Sequence, residues 1–311
     1  MCYSAQVKAD YAAFVRLFGA VMDIHEFVKL FVEKRAEGGW TKLPKAMREA
    51  FRKPANAEGF ELAKIVAEGD RELEARLEAE LATQQERLAK AEVVLAGPKP
   101  TKKAADDQRI ASNKVKAAQR NLDDLRRTDP DPKDSRIYPG SYAPVLIADA
   151  KSGERRVIPM RYQCRLPGWT EAVERRFPGT YNARRDNLDK AWSKLFGYHH
   201  GIMIVTTFYE NVDRDGKNVV LQFTPTPPQD MLVACLWSHT KDRDGDDLWS
   251  FAAITDEPPP EVLAAGHDRC IIPIKPEHVD AWLNPDPRDL QALYDILDDR
   301  PRPYYEHRLA A

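Results

Sequence analysis

Residues 201–212 read GIMIVTTFYENV, a stretch rich in β-branched and aromatic side chains. Such a composition favours a β-strand. Six other stretches in the second half of the chain share this character and are bounded by turn residues: PVLIADA (144–150), RRVIPMRY (155–162), NVVLQFTP (218–225), MLVACLWSHT (231–240), WSFAAITDE (249–257) and CIIPIK (270–275). Because short connections join many of them, we predict a mostly antiparallel sheet.

The first half of the chain has a helical pattern. In residues 9–35 apolar side chains recur every three or four positions, which predicts one amphipathic helix. Residues 61–95 are rich in helix formers, the segment GPKPTKK (97–103) breaks this helix, and a second helical stretch follows to about residue 127. Two helices joined by a short turn predict an antiparallel hairpin. The fold class is therefore α+β, a central sheet with peripheral helices and this hairpin.

The predicted hairpin interrupts the main domain in the sequence. Residues 1–60 and 128–311 form one domain, and residues 61–127 are an insertion that projects from it. The insertion is either decorative or a contact for a partner protein or DNA. We expect it to be unnecessary for the chemistry of the main domain.

The amino-acid composition indicates the class of protein and the cellular compartment in which we expect it. The 311 residues are 43% hydrophobic and 31% charged, which is typical of a globular protein. No apolar run is long enough for a transmembrane helix, so we expect no membrane association. The four cysteines are scattered, which favours free thiols in the cytoplasm. No glycine-rich phosphate loop or dinucleotide motif occurs, and we predict no cofactor.

Charge is unevenly distributed along the chain. The formal net charge is −2, yet residues 151–185 hold nine Lys or Arg against three Glu. A local cationic surface of this kind is sufficient to bind nucleic-acid phosphates. Acidic side chains folded nearby would instead make it an ordinary solvated surface, and the sequence leaves both interpretations open.

The chain begins MCYSAQ, which places Cys2 directly after the initiator methionine. Removal of Met1 would give Cys2 a free α-amine beside its thiol. An α-amine has a pKa of roughly 7.7–8.0 and is therefore partly neutral and nucleophilic near pH 7. The alternative is an incidental residue in a frayed terminus.

Four other side chains are candidates for chemistry or binding. Glu210 ends a strand behind two aromatic residues, where partial burial would suit it to proton transfer, and His267 lies in a polar loop before another strand. Asn182 lies near Arg184 at the end of the basic segment, and Trp169 offers a face for an unpaired base. Each also has an ordinary structural explanation, as a surface carboxylate, a loop histidine, a helix cap or a core aromatic.

Metal binding receives little support from the sequence. His267 and Cys270 are three residues apart, Cys235 and His239 four apart, and His199 and His200 adjacent. No second cysteine pair at finger or ribbon spacing completes such a site, so we predict no metal.

The order of several short motifs resembles a known family. Met-Cys at the start is followed by MRY and LPGW, then NAR, FYE, a strand ending in LW, AITDE and HDRC. This order is similar to that of the SOS response-associated peptidase (SRAP) family, the abasic-site processing proteins. The resemblance covers residues 1–8 and about 138–285.

The resemblance implies a barrel-like central β structure and a cationic groove for single-stranded DNA. It implies that Cys2 attaches covalently to abasic sites, closing a thiazolidine ring on the opened sugar. Asn182 would position Cys2 and the sugar, Glu210 would shuttle protons, and His267 would be its acid–base partner. Arg184 would hold a backbone phosphate and Thr255 would lie near the site. The family name implies self-removal of Met1 as a peptidase, an unclosed imine would permit weak lyase activity, and DNA binding would bring the protein to the nucleoid.

This chain departs from the family pattern beside the cysteine, where Tyr3 and Ser4 replace the usual Gly-Arg, a phosphate-binding arginine. We expect Arg161, Arg165 and Arg185 to compensate. Three hypotheses compete with this interpretation. In the first, the Cys2 amine activates its own thiol as an N-terminal nucleophile that hydrolyses an amide. In the second, Cys2, His267 and an orienting carboxylate form a thiol peptidase that acts on a substrate other than DNA. In the third, the protein is a non-enzymatic DNA scaffold whose hairpin, residues 61–127, recruits a partner.

Overall fold

The computed structural model describes residues 4–8, 11–54, 57–149, 151–241 and 247–310. The strands in these ranges are β1 (Ser4–Val7), β2 (Val21–Met22), β3 (Arg136–Ile137), β4 (Tyr142–Ala148), β5 (Arg155–Tyr162), β6 (Asn182–Arg184), β7 (His200–Arg214), β8 (Lys217–Thr226), β9 (Met231–Lys241), β10 (Asp247–Asp256), β11 (Cys270–Ile271), β12 (Pro273–Ile274) and β13 (Tyr304–Leu309). The α-helices are α1 (Tyr11–Phe18), α2 (Ile24–Ala36), α3 (Lys45–Glu49), α4 (Ala57–Ala96), α5 (Lys102–Arg126), α6 (Glu171–Arg176), α7 (Pro260–Ala264), α8 (Val279–Leu283) and α9 (Leu290–Asp298).

Five strands close into a barrel at the centre of the molecule. Around the barrel, β7 pairs with β4 and β9, β9 with β10, β10 with β5, and β5 with β4. All of these pairings are antiparallel except β5 with β10. Strands β1, β3, β8 and β13 extend the sheet beyond β7, while β6 and β11 add to β10. The predicted α+β class with a barrel-like, mostly antiparallel core is confirmed.

Side chains alternate between the two faces of each strand, and the two faces contribute to two separate apolar cores. Inside the barrel lie side chains such as Val145, Phe208 and Phe251. Residues of the opposite strand faces pack outside against the helices, where Phe27 and Trp282 are fully buried. Burial of each such side chain stabilises the fold by about 1.5–3 kcal/mol, which is why the strand register is fixed.

The single helix predicted over residues 9–35 is wrong. The chain turns at Gly19, whose φ of +58° favours glycine, and α1 ends at Phe18. The short strand β2 then pairs with β5 before α2 begins. The Asp23 carboxylate caps α2 by accepting a hydrogen bond from the Glu26 amide at 3.3 Å. Apolar periodicity did not reveal this break because it continues across both helices.

The helical hairpin is present as α4 and α5. Ion pairs such as Lys114 with Glu80, 3.5 Å apart, run between the two helices in antiparallel order. The first turns of α4 belong to the body of the protein, because Leu62 and Val66 are fully buried in the outer core. Asp70 anchors this part of α4 by accepting a hydrogen bond from the Trp40 indole at 2.9 Å. The domain boundary at residue 61 stays a prediction.

Within the described part of the chain, no helix has the length and apolar character needed to cross a bilayer.

The buried His200 should make stability depend on pH. It is 2% exposed, its Nε2 accepts a hydrogen bond from the Gly197 amide at 2.9 Å, and burial lowers its pKa to about 3. The unfolded chain takes up this proton near pH 6.5 and the folded chain does not, so stability falls as pH drops below about 6.5. Between pH 7.5 and 5.0 the loss from this residue is about 2 kcal/mol.

Urea unfolding of the wild type and His200→Asn at both pH values checks this. The variant should be less stable at pH 7.5 but lose about 2 kcal/mol less on acidification. His25→Asn, at an exposed position, is the control and should keep the wild-type pH dependence. An unchanged pH dependence in His200→Asn would show that another group carries it.

Candidate active site

The site begins at Glu210 near the end of β7. Its neighbours at alternate positions, Phe208 and Val212, belong to the barrel-interior core, so Glu210 occupies the same inward face. Glu210 is 0% exposed. A carboxyl group in this setting is removed from water, and its partners in the protein determine where its proton resides.

His267 lies beside this carboxyl group. Its Nε2 is 3.2 Å from Glu210 Oε2, although the two residues belong to distant parts of the sequence. The loop between α7 and β11 supplies the histidine, and Gly266, with a φ of +100°, makes the turn that precedes it. The His267 amide donates to the Val262 carbonyl at 3.2 Å, which ties the loop to α7.

The second ring nitrogen of His267 fixes its orientation. Nδ1 lies 2.9 Å from the Arg269 carbonyl oxygen and 3.3 Å from the Arg269 amide nitrogen. We assign the proton of the neutral ring to Nδ1 because its contact with the carbonyl oxygen is the shorter of the two. Burial lowers the pKa of His267, so the imidazole is neutral at physiological pH. Nε2, the unprotonated nitrogen of this tautomer, then faces the Glu210 carboxyl group at 3.2 Å. This arrangement can both accept and return a proton, as general acid–base chemistry requires.

Asn182 and Thr255 lie on neighbouring strands. Parallel pairing of β6 with β10 sets Asn182 opposite Ala253 and Arg184 opposite Thr255. Asn182 is 6% exposed, and the Tyr162 hydroxyl donates to its Oδ1 at 3.4 Å. Thr255 is 1% exposed, and its hydroxyl has no hydrogen-bond partner among the described residues. Thr255 also pairs with Ile271 on β11, the strand that follows the His267 loop.

The N-terminal strand runs along the same part of β7. In β1, Ser4 pairs with Tyr209, the residue that precedes Glu210. Cys2 lies outside the described residues. It is two residues from Ser4, and two residues of extended chain span at most about 7 Å.

The remaining cysteines are poor nucleophiles. Cys164, Cys235 and Cys270 are free and buried. Burial raises the pKa of the Cys164 thiol to about 12 and raises the pKa values of the other two as well. Because the thiolate is the reactive form, these residues serve as core side chains.

Two predicted DNA-binding arginines hold helix α6 in place. Arg165 is 4% exposed and its Nε donates to the Glu174 carboxylate at 2.9 Å. Arg161 ion-pairs with the same carboxylate and also donates to the Gln163 carbonyl at 3.0 Å. Glu174 is itself 3% exposed, so this is a buried cluster of two cations on one anion. A direct phosphate contact by either arginine stays a prediction.

The other predicted DNA contacts lie nearer the surface. Arg184 is exposed, and its Nε donates to Asp186 at 2.9 Å. Arg185 is partly exposed and pairs with Asp298 at 2.7 Å. Trp169 is partly exposed, with its ring centroid 5.3 Å from that of Phe177. Their contacts with DNA stay predictions too.

In the part of the chain that the structure describes, no group of three or more His, Cys, Asp or Glu side chains could hold a metal ion. The spacings noted in the sequence therefore bring no complete ligand set together within those ranges.

Arg136 is the residue of this region that the sequence did not single out. Its Nε donates to Ser4 Oγ at 3.1 Å, across 132 positions of sequence. No local motif links the two residues, and only the pairing of β1 with β3 brings them together.

The structure is thus a five-stranded barrel that carries a buried carboxyl–imidazole pair beside the N-terminal strand. The model of the family named SOS response associated peptidase (SRAP) matches residues 103–309. The chain belongs to this family, which its name associates with the SOS response to DNA damage.

Solved structures with a similar fold come from bacteria. A protein from Bordetella bronchiseptica is 19% identical with a TM-score of 0.48, covering 57% of this chain and 87% of its own. One from Bacteroides thetaiotaomicron is 14% identical with a TM-score of 0.46, covering 57% and 78%. A phage-related protein from Bordetella bronchiseptica is 16% identical with a TM-score of 0.44, covering 59% and 84%. The comparison with curated protein sequences gives no match.

Proposed function

We propose that this protein recognises abasic sites in single-stranded DNA and bonds to them covalently through Cys2 after Met1 has been removed. Membership of the SRAP family supports a role at damaged DNA. The observation that carries the proposal is the buried Glu210–His267 pair, 3.2 Å apart, in which Glu210 lies on the strand that pairs with the N-terminal segment.

The chemistry uses both nucleophiles of an N-terminal cysteine. An abasic sugar in its open form carries an aldehyde at C1′. The neutral α-amine of Cys2 adds to this carbon, and loss of one water gives an imine. The thiol then adds to the imine carbon while the imine nitrogen gains a proton, which closes a five-membered thiazolidine. If the ring does not close, elimination of the 3′-phosphate from the imine would give weak lyase activity.

The proton steps fall to Glu210 and His267. Amine addition requires a base, and expulsion of water from the carbinolamine requires an acid. A pair that shares one proton serves both steps in turn, because Glu210 accepts and returns the proton while His267 stores it. The same pair could assist hydrolysis of the Met1–Cys2 bond.

Asn182 and Thr255 suit binding and orientation. The Asn182 amide offers donors and acceptors to the sugar hydroxyl and the Cys2 amine. The buried Thr255 hydroxyl, without a partner among the described residues, is available to a bound substrate. Both side chains are held by strand pairing, which keeps their positions fixed.

DNA contacts on either side would come from the surface of the basic segment. Arg184 is exposed and can exchange Asp186 for a phosphate, and Trp169 offers a ring on which a flanking base can stack. Arg185 can exchange Asp298 in the same way. Arg161 and Arg165 support this surface through Glu174, since an ion pair already engages both.

A denaturing gel tests the proposed function. The purified protein is mixed with a single-stranded oligonucleotide carrying one abasic site, and separately with the same sequence undamaged. A shifted band that survives denaturation, with the damaged strand only, is expected. An unshifted damaged strand, together with hydrolysis of amide substrates, would favour an N-terminal-nucleophile or thiol hydrolase instead.

The distal hairpin should be dispensable for this reaction. We expect removal of residues 86–109, with Gln85 joined to Ile110 by a short Gly-Ser linker, to change the crosslinking rate by no more than about threefold. The cut keeps Asp70 and the buried first turns of α4, so the core remains intact. Crosslinking rates and unfolding midpoints of both proteins provide the measurement. A folded but inactive truncation would show that the hairpin, or a partner bound to it, takes part.

A further inference from the structure

Arg136 is held rigidly on three sides. It begins β3 and lies opposite Gln6 of β1. Its Nε donates to Ser4 Oγ at 3.1 Å, and its guanidinium lies over the Tyr209 ring, 3.6 Å from the centroid. The Tyr138 ring lies on another side at 5.0 Å. A guanidinium fixed in this way has lost most of its conformational freedom before any ligand arrives.

Its charge is left available. Within the described residues, no carboxylate forms an ion pair with Arg136, whereas Arg161, Arg165, Arg184 and Arg185 each engage one. Two acidic side chains that precede Arg136 in the sequence already have cationic partners. Asp134 ion-pairs with Arg127 at 2.5 Å, and Asp124 with Lys133 at 2.7 Å. Among the described residues, the only hydrogen bond of its side chain is the one from Nε, and a partly exposed arginine of this kind is suited to bind an anion.

The position of Arg136 indicates which anion this is. It contacts Ser4, two residues from Cys2, and Tyr209, which precedes Glu210. A chain of two residues spans at most about 7 Å, so a sugar bonded to Cys2 would lie near the guanidinium. Such a sugar carries a phosphodiester on each side. The donor fork of an arginine matches the oxygens of a phosphate.

We propose that Arg136 binds a backbone phosphate that flanks the abasic sugar and thereby holds the damaged strand beside Cys2. This assignment rests on the proposed function. Arg136 would supply the phosphate contact beside the N-terminus. Ser4 and Tyr209 would hold its guanidinium group in position.

The effect of Arg136→Ala on crosslinking is the first test. Because the variant loses a hydrogen-bonded contact between two charged groups, we expect the KM for the abasic strand to rise at least about tenfold. The maximal rate at saturating DNA should change much less. Because one phosphate contact disappears, the slope of log binding constant against log salt should shrink by about 0.7. Arg136→Lys should recover part of the affinity and the wild-type slope.

Arg288→Ala is the matched control. Arg288 is an exposed arginine that pairs with Asp286 in its own loop, 2.9 Å away, and should leave both KM and slope unchanged. An Arg136→Ala protein with the wild-type salt slope would refute the assignment, since a purely structural arginine would not change counterion release.

A neutral linkage in the DNA tests the contact without altering the protein. Methylphosphonate replaces the phosphate on the 3′ side, or on the 5′ side, of the abasic sugar. At one of these positions the wild type should lose affinity as much as Arg136→Ala does, and combining both changes should add little further. Full additivity at both positions would overturn the proposal. If the wild type forms no crosslink at all, the proposed function fails as well. If the wild type does form the crosslink, these experiments test only the role of Arg136.

Discussion

Cys2→Ala is expected to abolish the crosslink with abasic DNA. Alanine keeps the α-amine, so an imine can still form, but nothing closes the thiazolidine and the imine hydrolyses on denaturation. No other thiol can substitute, because Cys164, Cys235 and Cys270 are buried and burial raises their pKa values. The shifted band on a denaturing gel should therefore disappear.

Two further variants separate the thiol from the amine. Insertion of a glutamate between Met1 and Cys2 keeps the thiol but blocks methionine removal, and should also abolish the crosslink. Cys164→Ala, which alters a buried cysteine, is the control and should crosslink like the wild type. A crosslink that survives in the insertion variant would show that the thiol acts without the amine and would favour a thiol-based alternative.

Glu210→Gln is expected to slow crosslinking by about 10²–10⁴-fold, the usual contribution of a general acid–base group. Glutamine preserves the size of the side chain and its place inside the barrel, but it neither accepts nor returns a proton. Single-turnover rates at saturating abasic DNA measure the chemical step directly. Thermal unfolding of the variant confirms that the loss does not come from misfolding.

The partner of Glu210 provides a second readout. His267 lies 3.2 Å from it, so His267→Ala combined with Glu210→Gln should slow the reaction little more than Glu210→Gln alone. Glu257→Gln, at an exposed position, is the control and should react at the wild-type rate. Wild-type rates in Glu210→Gln would mean that the buried pair is structural.

Much of the barrel follows from the sequence, because strand signals are local. The alternation around Phe208 and Phe251 predicts strands with one inward face, and the structure has them. The helix predicted over residues 9–35 fails at Gly19, where a single turn residue outweighs a continuous apolar stripe. The sequence also did not reveal that the first turns of α4 pack into the core. Leu62 and Val66 lie in that core, but their spacing does not distinguish them from the other apolar residues of a long helix.

The site was predictable residue by residue but not in its contacts. Motif order pointed to Glu210 and His267, and the fold brings them together. The basic segment, residues 151–185, gave less information about contacts. Counting its charges did not reveal that Glu174, three percent exposed, already engages Arg161 and Arg165. Ion pairs between residues that are distant in sequence depend on the register in which strands pair. The pattern of a single sequence does not specify that register.

Mass spectrometry of the crosslinked N-terminal peptide can show whether Cys2 closes a thiazolidine on the abasic sugar. After digestion of both protein and DNA, the peptide should begin at Cys2 without Met1 and carry the sugar remnant, with the loss of one water relative to its components. Its mass should not change on borohydride treatment, since a thiazolidine has no imine to reduce. A remnant on a lysine, a peptide that still begins with Met1, or an adduct that gains hydrogen on reduction would contradict the account.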